Sequence, residues 1–495
     1  MKKLIRKMKR FQVLAIILLT GVLLIIASLF WPKDDIVIGN KTIKFIPKEE
    51  LLSFKVTDNT QNVDSVIAML ESRAYGLNED AIKRMSILDE SVFNESDFFI
   101  NPTIEGGGKA LDKFFYYLQR SDSSLIRIGH FGDSQIEGDR ITSLLRIMFQ
   151  DKFGGSGVGY VPLEDVTSPV SYTRSSSPNW VRYTVFHNRS QRGLYCPGGT
   201  VFRYRFAIPE GTRDSIAANG DTIKIKVPAS TFSNATVFLK LFRGYSIAKL
   251  WYGKASEPAE LKVYNSRSNE LLAEVVLDSD DPFSVMKLPL KANPTTLKFV
   301  FTGPSPEIYG LSFDPIAGVQ FDNYGLRGHS GDGLLSIPVD FLKAEFIKLN
   351  NKLVILQFGG NVTPYVKNEA SLNNIKNSYD RIYQHFRKAM PDASVLVIGV
   401  NDVARSVGGT YASYPMVGRI RDVQKEVALK NGCAFFDLYQ LMGGENSVLA
   451  WNKKGWAARD GHYSDKGREI VVNEIFLALI GEYNKYLIRG TTAGE

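Results

Sequence analysis

The stretch LIRIGHFGDSQIEGDRITSLLRIMFQDKF, residues 125–153, decides the fold. An apolar-alternating run, LIRIGHF, stops at Gly132-Asp133-Ser134 and is followed by the helix-patterned ITSLLRIMFQ, so a strand passes through a sharp turn into a helix. The same succession returns three times towards the C-terminus: KLVILQFGGN before SLNNIKNSYDRIYQHFRKAM, ASVLVIGVN before MVGRIRDVQKEVALKNG, and CAFFDLYQL before SDKGREIVVNEIFLALIGEY. Alternating strands and helices predict an α/β domain with a parallel sheet flanked by helices on both faces.

Between the first of these units and the others the texture changes. VFRYRFAIP, DTIKIKVPAS, ATVFLKLFRGYS, AELKVYN, LLAEVVLD and TTLKFVFTG are short β-branched or aromatic runs separated by Gly, Pro, Asn, Asp and Ser. Such spacing predicts a β-sandwich. The expected organisation is an α/β domain built from 109–165 and 318–487, interrupted by a sandwich at 166–317 and closed by a tail at 488–495. Residues 32–108 read as a membrane-proximal stalk or accessory region, ending in the linker-like EGGGK.

Residues 1–10 form a basic segment holding Lys2, Lys3, Arg6, Lys7, Lys9 and Arg10, and residues 11–31 carry no charge. That apolar run is long enough to span a bilayer, and its one-sided positive flank predicts a cytoplasmic N-terminus with the bulk of the chain extracytoplasmic, in the periplasm or at the cell surface. A cleaved signal peptide is the rival, but the run exceeds an ordinary h-region. The six basic residues account for most of the formal charge of +8. The remainder is nearly neutral, which argues against a nucleic-acid binder. Cys196 and Cys433 stand far apart with no partners at metal-ligand spacing, so no metal site is expected. A single disulfide between them competes with buried free thiols. No cofactor motif is present.

Ligands of open parallel sheets bind beyond the carboxyl ends of strands, and four such places carry chemistry. Ser134, expected at the start of a helix, can offer a hydroxyl and its own N–H; a simple helix cap is the plainer alternative. FDNYGLRGHSGDG, 321–333, is a glycine loop whose N–H groups can face an anion, or a plain turn. VILQFGGNVTP ends in Asn361, an amide donor or a turn former. ARDGHYSDKG, 458–467, holds His462, a candidate base, with Asp460 as the carboxylate to orient it. Asp133, His130 and His329 flank this set and are expected to line the site. His187 and His385 read as structural.

Serine, glycine, asparagine and histidine in this order resemble the SGNH (GDSL-type) hydrolase superfamily. GDSQ is similar to block I, NYGLRG (Asn323 to Gly328) to block II, GGN to block III, and the His462 loop to block V. The resemblance implies Ser134 as nucleophile and His462 as base, with the Ser134 and Gly328 N–H groups and the Asn361 amide as oxyanion donors. The family pattern has Asp three residues before the histidine, where this chain has Arg459; Asp460 stands only two before. Asp460 can bend back to the imidazole, or a backbone carbonyl can orient the ring instead. Val362 replaces the Asp that usually ends block III. FGGSGVGY, FFDLYQLMGG and the interposed β region resemble envelope-anchored members, including peptidoglycan O-acetylesterases with a carbohydrate-binding-like module between blocks I and II.

The resemblance implies a membrane-anchored serine esterase removing O-acyl, chiefly O-acetyl, groups from an acylated cell-envelope glycan. Two alternatives stay open: an O-acetyltransferase using the same residues with a membrane O-acyltransferase partner as donor, and a non-catalytic glycan-binding protein.

Overall fold

The computed structural model describes residues 104–492, apart from 209–210, 217–221 and 228–229, together with two short strands, Ile36–Ile38 and Lys41–Ile43. Those two strands pair antiparallel within a separate unit, Met1–Gln61; the other described residues belong to the unit Asn62–Glu495. The expected anchor at 11–31 and most of the stalk lie outside the described residues. Among the described residues no helix is long and apolar enough to cross a membrane.

The α/β part is a six-stranded sheet of β1 (Ile104–Glu105), β2 (Leu125–Gly132), β3 (Gly318–Gly325), β4 (Asn351–Gln357), β5 (Ser394–Ile398) and β6 (Ala434–Phe436). Its order is β3-β2-β4-β5-β6-β1, parallel except for β1. Successive side chains of a strand point to opposite faces, and β4 shows the result. Leu353 and Ile355 pack with α1 (Asp112–Leu118), α2 (Thr142–Phe153) and α7 (Asp465–Thr492), whereas Val354 and Leu356 pack with α3 (Val339–Leu349), α4 (Glu369–Ala389) and α5 (Val417–Lys430). Both faces of the sheet are therefore covered, as near-continuous apolar strands require. Helix α4 begins at a capping box formed by Asn368 and Ser371 and ends in Arg387 and Lys388, both favourable to its dipole.

Between α2 and β3 the chain builds, besides two short two-stranded pairs, two large antiparallel sheets whose buried sides share one core. One has the strand order Leu271–Leu277, Ala259–Asn265, Thr296–Thr302, Ala235–Leu241, Tyr172–Ser176; the other runs Ser284–Lys287, Ile247–Tyr252, Ile308–Asp314, Thr200–Tyr204, Trp180–Thr184. Val237, Leu239, Leu261, Phe299 and Phe301 from the first meet Phe202, Leu250, Leu311 and Phe313 from the second, while Phe238 on the outward side is exposed.

Three expected boundaries move. Gly159–Val161, assigned above to the α/β domain, pairs with Ile308–Asp314 and so extends an antiparallel sheet; three residues are too few to show alternation. The sheet starts at Ile104, where β1 pairs with β6, and EGGGK is not a linker because Gly107–Ala110 is helical. The expected tail is part of α7 as far as Thr492, where Arg489 holds Asp112 at 2.7 Å.

Candidate active site

Strand β2 ends at Gly132, where a Cβ would lie 2.9 Å from the Gln357 carbonyl oxygen, so only glycine lets β2 turn against β4 there. The chain then makes a tight turn in which Asp133 Oδ1 accepts the Gln135 N–H at 2.9 Å, and the Asp133 carbonyl accepts the N–H groups of Ile136 and Glu137. Ser134 does not start a helix, contrary to expectation. A 3₁₀ turn, Glu137–Asp139, intervenes, and α2 begins only at Thr142, so Asp133 satisfies the local N–H groups while the serine side chain is left to face elsewhere.

It faces His462, with Ser134 Oγ 2.8 Å from Nε2. On the far side of the ring, Nδ1 lies 3.0 Å from Asp460 Oδ2, and Asp460 Oδ1 accepts the His462 backbone N–H at 3.1 Å. This closed Asx turn explains how a carboxylate only two residues away reaches the imidazole. The carboxylate accepts from Nδ1–H, which leaves Nε2 to take the hydroxyl proton of Ser134. The bond from His462 holds the Asp460 carboxyl below its ordinary range. The loop is pinned at Gly461, whose carbonyl accepts from Gln135 Nε2 at 2.6 Å and Asn401 Nδ2 at 3.1 Å.

The glycine loop hangs from the serine turn through Leu326 N–H, which donates to the Gly132 carbonyl at 3.0 Å. Gly328 has φ +74° with open space where a Cβ would stand. Among the described residues, neither the Ser134 nor the Gly328 N–H has an acceptor, so both can receive an oxyanion.

Asn361 follows β4 as expected, but its amide is engaged: Nδ2 donates to Asp133 Oδ2 at 2.9 Å and to the His329 carbonyl at 3.2 Å. It can serve a bound oxyanion only by releasing one of these bonds, the longer being the weaker. Asp133 is buried beneath it, and burial pushes its carboxyl up to about 6 against the bond from Gln135, the nearby His462 and the Asn361 amide.

Two expected lining residues are not in the cleft. His130 is wholly buried, its Nε2 3.0 Å from Gln357 Oε1 and its Nδ1 3.0 Å from Thr142 Oγ1, because its position on β2 points into the packed sheet. The His329 ring is buried as well, lying between Phe358 and a parallel Phe186 ring 5.1 Å away; only its carbonyl serves the site. Both cysteines are buried free thiols, so the disulfide alternative falls. Among the described residues no group of three or more His, Cys, Asp or Glu could hold a metal ion.

Sequence reasoning missed several supporting groups. Asn401 stands just after β5, where the strand-end rule would have found it. Asn323, noted only as the start of a block, donates to the Ile136 carbonyl at 2.8 Å and to Thr142 Oγ1 at 2.7 Å, and so braces the serine turn. Arg140 donates to the Ser134 carbonyl and to that of Glu137. Phe186 comes from the antiparallel part, and nothing in its local sequence marks it.

Residues 310–470 match the GDSL-like Lipase/Acylhydrolase family. That span contains Asn323, Gly328, Asn361 and His462 but not Ser134, which the antiparallel sheets separate from it. Among solved structures, one of a peptidoglycan O-acetylesterase is similar in fold over 76% of this chain and 97% of its own, with a TM-score of 0.59 and 19% identity. An acetyl xylan esterase covers 32% of this chain and 81% of its own at TM-score 0.25 and 16% identity. A family two carbohydrate esterase from Cellvibrio japonicus covers 63% and 99%, respectively, at TM-score 0.23 and 8% identity. No curated protein matches the chain in sequence.

Proposed function

We propose that this chain, an SGNH-type serine ester hydrolase with a GDSL-like lipase/acylhydrolase domain, removes O-acetyl groups from a cell-envelope glycan. The observation that carries the chemistry is the continuous line from Ser134 Oγ through the His462 ring to Asp460, at 2.8 Å and 3.0 Å. Ser134 Oγ attacks the acetyl carbonyl as its proton passes to His462 Nε2, and Asp460 stabilises the imidazolium. The Ser134 and Gly328 N–H groups receive the oxyanion, joined by the Asn361 amide if it leaves the His329 carbonyl. The glycan hydroxyl departs with the proton from His462. Water, deprotonated by the same nitrogen, then cleaves the acyl-enzyme to free serine and acetate.

The glycan preference is supported by the likeness in fold to a peptidoglycan O-acetylesterase and by the two antiparallel sheets that share one core, which we read as an inserted β-sandwich that grips the polymer. Residues 11–31 anchor the protein in this reading, with the catalytic part outside the cytoplasm.

Acetate release from a chromogenic acetyl ester and from an acetylated glycan tests the proposal. Ser134→Ala and His462→Ala should fall to background and lose labelling by a fluorophosphonate, and Asp460→Asn should fall by about 10²–10⁴-fold. Wild-type turnover in Ser134→Ala would end the reading. Acetyl transfer to an added glycan in preference to water would replace hydrolysis by transferase chemistry.

A further inference from the structure

Arg459 occupies the place where the family's acid usually stands, and the catalytic arrangement does not use it. Its guanidinium lies 4.1 Å over the ring of Tyr411, on the hairpin formed by Ala404–Val407 and Thr410–Ser413. Its own carbonyl accepts the Ala404 N–H at 2.9 Å, so loop and hairpin are tied at the same point. Arg459 is exposed, and among the described residues no carboxylate lies within ion-pair distance of it. Asp460 next to it turns both carboxylate oxygens to His462 and forms no ion pair with it. An exposed cation held over an aromatic face three positions before His462, with no carboxylate partner among the described residues, is suited to a carboxylate or phosphate on the substrate.

We propose that Arg459, steadied by Tyr411, forms an anion subsite at the His462 side of the cleft, and that the preferred substrate is an acylated glycan bearing a carboxylate or phosphate near the scissile ester. This rests on the ester-hydrolase reading of the same site. A charge-assisted bond of this kind contributes roughly tenfold or more in affinity. The hairpin supplies an internal control. Arg405 pairs in register with Ala412 and Ser406 with Tyr411, so Arg405 lies on the opposite face from Tyr411.

The test compares kcat/KM of wild type, Arg459→Gln, Arg459→Lys and Arg405→Gln on O-acetylated oligogalacturonate, an O-acetylated glycerol-phosphate oligomer and neutral O-acetylated xylo-oligosaccharide. Arg459→Gln should lower the charged-to-neutral ratio by about tenfold, mainly through KM, with partial retention in Arg459→Lys and no change of ratio in Arg405→Gln. Whether the carboxylate or the phosphate substrate responds identifies the anion. An unchanged ratio in Arg459→Gln, or an equal change in Arg405→Gln, overturns the subsite. Binding of de-esterified oligogalacturonate and of glycerol-phosphate oligomer to the Ser134→Ala protein, with and without Arg459→Gln, needs no hydrolysis. A wild type inactive on every ester would end the hydrolase reading alone, while equal binding of both ligands in the two proteins would end the subsite alone.

Discussion

His130 is buried on β2 with both ring nitrogens committed, and that fixes its charge. Gln357 Oε1 can only accept, so Nε2 carries the proton, and Nδ1 takes the hydroxyl hydrogen of Thr142, whose oxygen in turn accepts from Asn323. Burial lowers the pKa to about 4 from 6.5, against the bond to Gln357. Between those values the unfolded chain binds the extra proton, so the contribution of His130 to stability is complete above pH 6.5 and is lost as pH falls towards 4. Going from pH 7 to 5 should cost about 2 kcal/mol through this residue. Urea unfolding at the two pH values should show that drop reduced by about this amount in His130→Gln, even though the variant is less stable at both. An identical drop in both proteins would show that His130 does not titrate on unfolding. The sequence made His130 visible but misplaced it, because alternation along β2 tells which residues share a face and not which face opens on the cleft. Asp460 was legible as a candidate, yet its reach to the imidazole depended on backbone torsions at Gly461 that residue identities do not encode.

At the scale of elements, Asp402 joins three pieces of chain. Its carboxylate, fully buried after β5, accepts from Ser413 Oγ at 2.6 and 2.8 Å on the hairpin, and from Ser447 Oγ at 3.4 Å and Val448 N–H at 3.0 Å at the start of α6 (Ser447–Lys453). Burial pushes its carboxyl up to about 6, opposed first by the Ser413 bonds. Asp402→Ala would strand two hydroxyls and an amide away from water, at a cost of about 2–4 kcal/mol. The urea midpoint should fall accordingly, with faster proteolysis at Gly408-Gly409 on the hairpin tip. A midpoint within error of wild type would mean that water or local refolding replaces the carboxylate. The sequence announced the long strands and helices because their apolar periodicity spans many residues. It did not announce this hairpin, whose four-residue strands carry no repeating apolar face, nor the delay of α2 to Thr142, since a polar EGD turn and a helix start look alike without coordinates.

At the scale of the whole molecule, Arg127 is where the two kinds of sheet are fastened. From β2 it reaches Asp322 on β3 with bonds of 2.7 and 2.8 Å, and Asp314 at the end of the antiparallel strand Ile308–Asp314 at 2.6 Å, while Lys249 lies 2.9 Å from Asp314. Asp322 also accepts the Tyr160 N–H at 2.9 Å, so each carboxylate touches both parts of the fold. Burial alone would raise the Asp314 pKa, but Arg127 and Lys249 hold it below its ordinary value. The alternating texture of the insertion was readable from sequence; this seam was not, because Arg127 stands 187 and 195 positions before the carboxylates it joins, Asp314 and Asp322. Removing the cation leaves two buried carboxylates without their main partner, which typically costs about 3–5 kcal/mol. Arg127→Met should therefore lower stability by that amount and separate the melting of the α/β part from that of the antiparallel sheets, giving two calorimetric transitions. The triple change Arg127→Met, Asp314→Asn, Asp322→Asn should recover much of the loss, because a buried ion network is more damaging half-removed than fully neutralised. If Arg127→Met melts in one transition with wild-type stability, the seam is held instead by apolar packing, in which Trp251 and Phe283 of the antiparallel part meet Phe341 of α3.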